Sequence, residues 1–204
     1  MSREDILKRA FTAFAHQGYE GVSLRQLASE CGVSDSLLTH HFTSKQQLWY
    51  EATDSVFAAL LGRLVLTLET IEAENAAWKL RLNLKASLTL MAMEPAAIAF
   101  LFREGEGNDE RADHLRKHYL QPYLQRIRAL FAEAQGQGLV RKLSHEASAG
   151  MVLGLMRMLA IPGLYKHELA AHLATPEKTA AYVDEVVTIF YDGLMLSPSP
   201  STPV

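Results

Sequence analysis

Side chains that can contact a polyanion are concentrated in one short stretch near the N-terminus. They are Arg25, Ser34, Ser36, Thr39, His40, His41 and Lys45. Hydroxyl and imidazole groups form hydrogen bonds with base edges, whereas guanidinium and ammonium groups bind phosphate oxygens. The stretch therefore predicts contact with a nucleic acid, with Lys45 on a phosphate and with Ser36, Thr39 and His40 on base edges.

Two histidine pairs invite a metal interpretation. His167 and His172 are five residues apart in HELAAH, whereas a zinc-protease helix carries its two histidines four apart on one face. His114 and His118 do have the four-residue spacing, but no Glu-x-x-His pair of the di-iron type accompanies them. We therefore predict no metal site, no catalytic residue and no cofactor, and we expect His114 and His118 to be solvated or to line a pocket.

The polar stretch needs helices to position it, and the local sequence predicts them. Ser23 with Gln26 has the spacing of a capping box that begins a helix at Leu24, and Ser34 can cap a second helix. Between these caps, Gly32 can adopt the positive φ of a tight turn. The pattern predicts a helix-turn-helix in which the second helix is displayed to solvent.

The two short helices also have the residues to pack against each other. Ala28 is small at the point where the helices cross, and Leu27 with Leu38 supplies the apolar contact between them. Cys31, immediately before the turn glycine, is expected to be a small, half-buried packing residue. A redox role would need a cation to stabilise the thiolate, and the sequence indicates none nearby.

The segment GVSDSLLTHHFTSKQQLW resembles the TetR (tetracycline-repressor) family, in which Gly-Val-Ser is followed by a short recognition helix, then Phe-x-x-Lys and a leucine. The matching residues are Gly32, Val33, Ser34, Phe42, Lys45 and Leu48. The residues that resemble the family's first helix and its closing Gly-Tyr are Ile6, Leu7, Ala10, Phe14, Gly18 and Tyr19. Thr39 and His41 stand where the family usually has two tyrosines, one of which contacts a phosphate. The resemblance covers roughly residues 1 to 60.

The whole chain is predicted to be helical, so the fold class is all-α. A capping box of Ser44 with Gln47 begins a long helix that runs toward Ile71. The other helices are predicted at about 3–17, 76–93, 96–104, 109–135, 144–161 and 177–195. Pro122 lies inside one of them and should bend it, which leaves the His118 carbonyl without its helical donor.

Two domains are predicted, and no Pro/Gly/Ser linker separates them, so the boundary lies inside the long helix near residue 62. Residues 1–62 are the TetR-type DNA-binding domain, with the helix-turn-helix at about 24–43. Residues 63–196 are the helical effector-binding and dimerisation domain that the resemblance implies. Residues 197–204 belong to a Pro/Ser tail that cannot bury enough surface to become ordered.

The C-terminal part is rich in methionine and aromatic residues, which either fill a helix-bundle core or line an apolar cavity. Under the second interpretation, the ligand-binding residues are Trp78, Met91, Phe102, Arg103, His118, Tyr123 and Met151. Arg103 and His118 would hold an anionic ligand, and the bend at Pro122 would leave room for the cavity.

Two helical glycines indicate a close approach of another helix. Gly150 and Gly154 lie four residues apart on one face of the 144–161 helix, and both cost helix stability. A tight crossing within the chain would explain them, and so would a partner chain. We predict a homodimer through a four-helix interface formed by the 144–161 and 177–195 helices of each chain.

Composition limits the remaining possibilities. The chain has 204 residues, of which 49% are hydrophobic, and it can bury one sizeable core or two smaller ones. Its net charge is −3, and residues 1–50 balance five basic against five acidic side chains, so charge alone would not indicate DNA binding. A single cysteine, no signal segment and no long apolar run predict a soluble cytoplasmic protein.

The sequence therefore predicts a transcriptional regulator of TetR type, a repressor that leaves a palindromic operator when a small molecule binds. Its partners would be double-stranded operator DNA, a small-molecule effector and a second copy of the chain, and no membrane. One alternative is a helix-turn-helix protein that has no effector. A second alternative is an all-α metal-binding enzyme that carries the turn motif by chance.

Overall fold

A computed structural model describes residues 2–70, 72–160 and 171–195. The helices are α1 (Arg3–Gly21), α2 (Leu24–Cys31), α3 (Asp35–His41), α4 (Lys45–Glu69), α5 (Ala76–Met93), α6 (Pro95–Gly105), α7 (Glu110–Leu115), α8 (Gln121–Gly136), α9 (His145–Ala160) and α10 (Pro176–Leu194). Within those described ranges, β-structure is limited to an isolated bridge between Val140 and Met195. The prediction of an all-α fold is confirmed.

The chain divides into two compact units, Met1–Arg63 and Leu64–Val204. The core of the first unit is built on α1, where the apolar spacing buries Ile6, Ala10 and Phe14 completely or almost completely. Its N-terminus is held by a capping box, in which the Ser2 hydroxyl accepts from the Asp5 N–H and the Asp5 carboxylate accepts from the Ser2 N–H. The functional roles predicted for the two domains remain predictions.

Gly18 interrupts α1, as predicted, but the helix does not end there. Gly18 has φ 71° and ψ 170°, and helical structure resumes beyond it as far as Gly21. A positive φ at this position is accessible to glycine without the steric cost that a β-carbon brings. The helix therefore extends four residues past the predicted end at residue 17, with a kink at the glycine.

Both predicted capping boxes are half formed. The Ser23 and Ser44 hydroxyls accept from the backbone N–H groups three residues on, as predicted. The reciprocal bonds differ, because the Gln26 amide donates to Glu30 along α2 at 2.8 Å and the Gln47 carbonyl oxygen accepts from the Thr43 backbone N–H at 3.1 Å. A long side chain can reach several partners with similar free energy. The spacing of the capping boxes therefore predicted the serine contacts correctly but not the glutamine contacts.

The second unit is organised around α5, which packs against α6, α8, α9 and α10. The Asn75 side chain caps α5 by accepting from the Trp78 N–H at 3.0 Å, and α5 spans the predicted residues 76–93. Two cationic side chains of α5 bind α10, since Arg81 donates to the Thr188 hydroxyl and Lys85 to the Asp184 carboxylate, both at 2.7 Å.

The predicted 109–135 helix is not continuous. It consists of α7, a π-helical turn (Arg116–Leu120) and α8, and the Gln121 N–H donates to the Arg116 carbonyl five residues back. Pro122 lies in the first turn of α8, where its missing N–H removes no interior helical bond. The wider π turn lets the chain pass the proline, so the predicted bend inside one long helix is corrected to a change of helix type before it.

Several predictions concern residues outside the described ranges. They are Ile71, residue 161 at the end of the predicted 144–161 helix, His167 and the 197–204 tail. Across the part of the chain that the structure does describe, no single helix is long and apolar enough to cross a membrane. The bent pair Ala76–Met93 and Pro95–Gly105, with 95° between the helices, meets that criterion of length and composition when the two helices are taken together.

Candidate functional site

The turn between α2 and α3 has the geometry that the sequence predicts. Gly32 is left-handed, with φ 66° and ψ 31°, and its N–H donates to the carbonyls that end α2. The Val33 N–H donates to the Ala28 carbonyl at 3.0 Å, which closes the end of the helix. Leu27, Ala28 and Leu38 are buried at the contact between the helices. The predicted helix-turn-helix is confirmed.

The helix α3 presents nearly all of its side chains to solvent. The Ser34 hydroxyl caps it by accepting from the Leu37 N–H at 3.2 Å, and Leu38 is its buried anchor. The exposed residues of this segment are Ser34, Asp35, Ser36, Leu37, Thr39 and His40. A short helix that is anchored on one side and exposed on the other can enter a groove as wide as the DNA major groove.

The hydroxyl groups that were predicted to contact DNA already form hydrogen bonds within the protein. The Thr39 hydroxyl donates to the Asp35 carbonyl at 2.7 Å, and the Ser34 and Ser36 hydroxyls share a hydrogen bond at 3.0 Å. A hydroxyl that donates to its own helix retains lone pairs that can accept. Thr39 is therefore suited to accept a hydrogen bond from a base amino group.

The two predicted cations differ in their surroundings. The Lys45 ammonium donates to the Glu20 carbonyl at 3.3 Å and lies 4.6 Å from the centre of the Tyr19 ring. An ammonium has three donors, so this contact orients Lys45 and leaves donors for a phosphate. Arg25 is exposed on α2 and makes no hydrogen bond or ion pair among the described residues, so its guanidinium is available to a phosphate.

The two predicted histidines have different exposure. His40 is exposed, whereas His41 is half-buried, with its ring centre 6.2 Å from that of the buried Phe42. Arg3 stacks on the same Phe42 ring at 5.1 Å. His40 is therefore placed to contact bases, and His41 contributes to packing at the end of α3 as well as offering a ring nitrogen.

Sequence reasoning missed Leu37, which is 41% exposed on α3. An apolar side chain on a helix of this kind can contact the methyl group of thymine in the major groove. The signal was available, because Leu37 directly precedes the buried anchor Leu38 and neighbouring helical residues point about 100° apart.

The predicted ligand-binding residues do not form one buried group. Met91 and Tyr123 are buried at 7% and 6% exposure, and Phe102 is half-buried. The exposed members are Trp78, Arg103, His118 and Met151. The Arg103 guanidinium binds the adjacent Glu104 carboxylate at 2.9 Å. The proposed pair of polar contacts for an anion therefore lies on the surface of the second unit and not beside the two buried residues.

Sequence reasoning also missed two buried polar side chains of α5, the helix that packs against the helix of Tyr123. Asn83 and Ser87 are 2% and 0% exposed on α5. Burial raises the pKa of Tyr123 to about 12, and the nearby Ser87 hydroxyl opposes part of that rise. Polar residues at four-residue spacing within the apolar face of α5 were the signal that could have revealed them.

Among the described residues, the arrangement of side chains does not support the metal and redox alternatives. The His114 and His118 rings lie 4.6 Å apart, but in the ranges 2–70, 72–160 and 171–195 no group of three His, Cys, Asp or Glu side chains could hold a metal ion. Cys31 is 2% exposed and not half-buried as expected, and burial raises the pKa of its thiol. A thiol whose pKa is raised carries less thiolate, which fits a packing residue.

Comparison with known proteins shows which family this helix-turn-helix resembles. The family model described as "Bacterial regulatory proteins, tetR family" matches residues 6–52, which contain α2 and α3 and most of α1. Residues 6–52 therefore carry the DNA-binding domain of the TetR family. The match covers the helix-turn-helix that the structure displays, including the left-handed Gly32 and the exposed face of α3.

Individual relatives of this chain extend the comparison. The HTH-type transcriptional repressor AcnR of Corynebacterium diphtheriae is 41% identical over 75 residues, which are 37% of this chain and 35% of that repressor. The chain thus spans about a third of the length of the repressors it matches. The HTH-type transcriptional regulator BetI of Agrobacterium fabrum is 26% identical over 210 residues, 99% of this chain and 96% of BetI.

A solved structure has the same fold over nearly the whole chain. AibR, in complex with isovaleryl coenzyme A and operator DNA, matches with a TM-score of 0.71 and 21% sequence identity. The match covers 92% of this chain and 97% of AibR. At this level of identity the likeness concerns the fold alone.

Proposed function

We propose that this protein is a DNA-binding transcriptional regulator of the TetR family, a repressor that leaves its operator when a small molecule binds the second unit. The observation that carries the proposal is the display of α3. Its donors and acceptors are exposed beside a left-handed turn, and Arg25 and Lys45 lie at the starts of α2 and α4. Side chains on such a helix contact base edges, and cations at neighbouring helix starts contact the phosphates on either side.

The regulator is proposed to act as a homodimer. An exposed helix of seven residues reads few base pairs, so useful affinity requires two copies on a palindromic site. Gly150 and Gly154 are exposed on α9, and a β-carbon added at either would meet no atom within 4 Å. Among residues 2–70, 72–160 and 171–195, a tight crossing within the chain therefore does not account for these glycines, which favours a partner helix. Met151 on α9 and Ile189 on α10 are 42% and 69% exposed and extend an apolar surface.

Control by an effector is proposed for the second unit. AibR, which has the same fold, was solved with a coenzyme A ester and operator DNA, and that analogy supports a ligand in the corresponding domain. The helix α4 includes residues of both units, so a change in the second unit has a covalent route to α3. The coupling required is modest, because about 3 kcal/mol of preference for the released state lowers operator affinity more than a hundredfold.

Selection of binding sites from a random duplex library tests the proposal directly. We expect the full-length protein to enrich an inverted repeat whose half-site centres are separated by about one helical turn of DNA, roughly 34 Å. Enrichment of no sequence above background would contradict sequence-specific regulation. Enrichment of a single half-site would contradict the proposed dimer but not the proposed contact of α3 with base edges.

Lys45→Ala and His40→Ala should separate phosphate binding from base recognition. Loss of the Lys45 ammonium should weaken binding to every sequence and reduce the slope of log affinity against log salt by about one unit. Loss of the His40 ring should change base preference at one position of each half-site, at a cost of about 1–3 kcal/mol for the preferred base. Fluorescence anisotropy with the selected site and with single-base variants measures both quantities.

Lys117→Ala is the matched control, because Lys117 is exposed in the second unit and has no proposed contact with DNA. It should leave the salt slope unchanged. Since Lys45 also contacts Glu20 and Tyr19, the unfolding temperature of Lys45→Ala must be measured alongside its affinity. A change in sequence preference with an unaltered salt slope in Lys45→Ala would exclude the proposed docking.

A further inference from the structure

The core of the second unit contains a group of polar atoms without hydrogen-bond partners. They are the Asn83 side-chain carbonyl oxygen, the Ser87 hydroxyl and the Tyr123 hydroxyl, here called the polar cluster. The Ser87 and Tyr123 hydroxyls lie near each other but outside hydrogen-bond geometry. Asn83 and Ser87 are four residues apart and therefore share one face of α5, and α8, which carries Tyr123, packs against α5. The three side chains are 2%, 0% and 6% exposed.

Such a cluster requires an explanation. Buried polar side chains in native proteins nearly always have a hydrogen-bond partner. Transfer of an unpaired donor or acceptor from water into the core is unfavourable, because no new hydrogen bond replaces those lost to water. Ser148, elsewhere in the same unit, follows the rule, since it is 2% exposed and donates to the His145 carbonyl at 3.0 Å. The polar cluster does not follow it.

The surroundings of the cluster determine what could bind there. Buried apolar residues follow each member of the cluster along its helix, namely Leu84 and Leu88 on α5 and Leu124 on α8, and Ile127 is one turn beyond Tyr123. The Tyr123 phenol is neutral at physiological pH, and burial raises its pKa further from its ordinary value, to about 12. The cationic side chains of α5 bind other groups, because Arg81 and Lys85 bind α10 and the Lys79 ammonium lies 4.0 Å from the Glu133 carboxylate on α8.

We propose that Asn83, Ser87 and Tyr123 form the polar end of the effector site, and that the effector is an apolar molecule with an uncharged group that both donates and accepts hydrogen bonds. A primary amide fits, because its N–H can donate to the Asn83 oxygen and its carbonyl can accept from the two hydroxyls. A carboxylate does not fit, since it would face the Asn83 oxygen with no donor and would be buried without a cation. The assignment rests on the proposed role of the second unit as the effector domain.

The ligand-free protein provides the first test. Ser87→Ala and Tyr123→Phe remove hydroxyls that have no partner, so the unfolding temperature of the full-length protein should stay the same or rise. Ser148→Ala is the matched control, because it removes a buried hydroxyl that has a partner, and its unfolding temperature should fall. If Ser87→Ala and Tyr123→Phe fall as Ser148→Ala does, water or another partner already satisfies the cluster, and the proposal is wrong.

Three probes of equal chain length provide the second test. They are octanamide, octanoate and octyltrimethylammonium, added to the full-length protein at pH 7.5. Octanamide should raise the unfolding temperature and bind measurably by calorimetry, and octanoate and the ammonium should do neither. Ser87→Ala and Tyr123→Phe should each weaken octanamide binding about tenfold, the loss expected for one hydrogen bond inside a protein. Ser148→Ala should bind octanamide as the wild type does.

The outcomes separate this proposal from the proposed function. Equal binding of octanoate and octanamide would overturn the assignment of an uncharged ligand group. No response to octanamide would overturn the proposed effector site. If the same preparation still binds its selected DNA site, the proposed DNA-binding function is unaffected by that result. Octanamide binding that is unaffected by Ser87→Ala and Tyr123→Phe would place the ligand elsewhere and overturn the role of the polar cluster.

Discussion

Gly154→Leu should convert the protein from a dimer to a monomer and weaken operator binding more than about a hundredfold, because the second half-site is then no longer bound from the same complex. The leucine has room within a single chain, since a β-carbon at Gly154 meets no atom within 4 Å. It also favours the helical conformation by roughly 0.8 kcal/mol relative to glycine. The isolated chain should therefore be as stable as the wild type or more stable, and only the approach of a partner helix is obstructed.

Sedimentation velocity measures the oligomeric state, and anisotropy measures the affinity for the selected site. Gly62→Leu is the matched control, because Gly62 is another exposed helical glycine with no atom within 4 Å of an added β-carbon. It should sediment as the wild type does. An intact dimer in Gly154→Leu would move the interface away from this face of α9, and a monomer in both variants would show that the effect is not specific to α9.

Gly32→Val should strongly weaken specific DNA binding while leaving the second unit folded. The residue has φ 66°, and a residue with a β-carbon in this region pays about 1–2 kcal/mol, with more for a β-branched side chain. No neighbouring atom lies within 4 Å of an added β-carbon, so the effect is backbone strain and not a clash. The turn would relax toward negative φ and reorient α3, and we expect operator affinity to fall more than about thirtyfold, equivalent to roughly 2 kcal/mol.

Gly32→Asn distinguishes backbone strain from the loss of glycine as such. Asparagine adopts the left-handed conformation more readily than other residues with a β-carbon, so this variant should retain most of the wild-type affinity. Octanamide binding and the dimer should be unchanged in both variants, since Gly32 belongs to the first unit. Equal affinity of Gly32→Val and Gly32→Asn would mean that the turn tolerates another conformation and that α3 is not positioned by it.

The sequence by itself determined much of the first unit, because its signals are local. Ser34 caps α3, Gly32 forms the left-handed turn, and Leu38 anchors the exposed helix, each as the spacing predicts. Caps and turns depend on the conformation of a few consecutive residues, so the residue types are sufficient to predict them. The predicted helix at 177–195 corresponds to α10, which begins at Pro176 after the cap Thr175. It did not predict the π turn before Pro122, since several local arrangements allow a chain to pass a proline.

Only the tertiary structure decided which side chains of the second unit face the core. On α5, Trp78 is 38% exposed and Asn83 is 2% exposed, the reverse of what their hydropathy suggests. Both results follow from where α8, α9 and α10 pack against α5, which is set by contacts between residues far apart in sequence. For that reason the aromatic and methionine residues did not predict the site. The unpaired atoms of Asn83, Ser87 and Tyr123 became visible only when α5 and α8 were seen together.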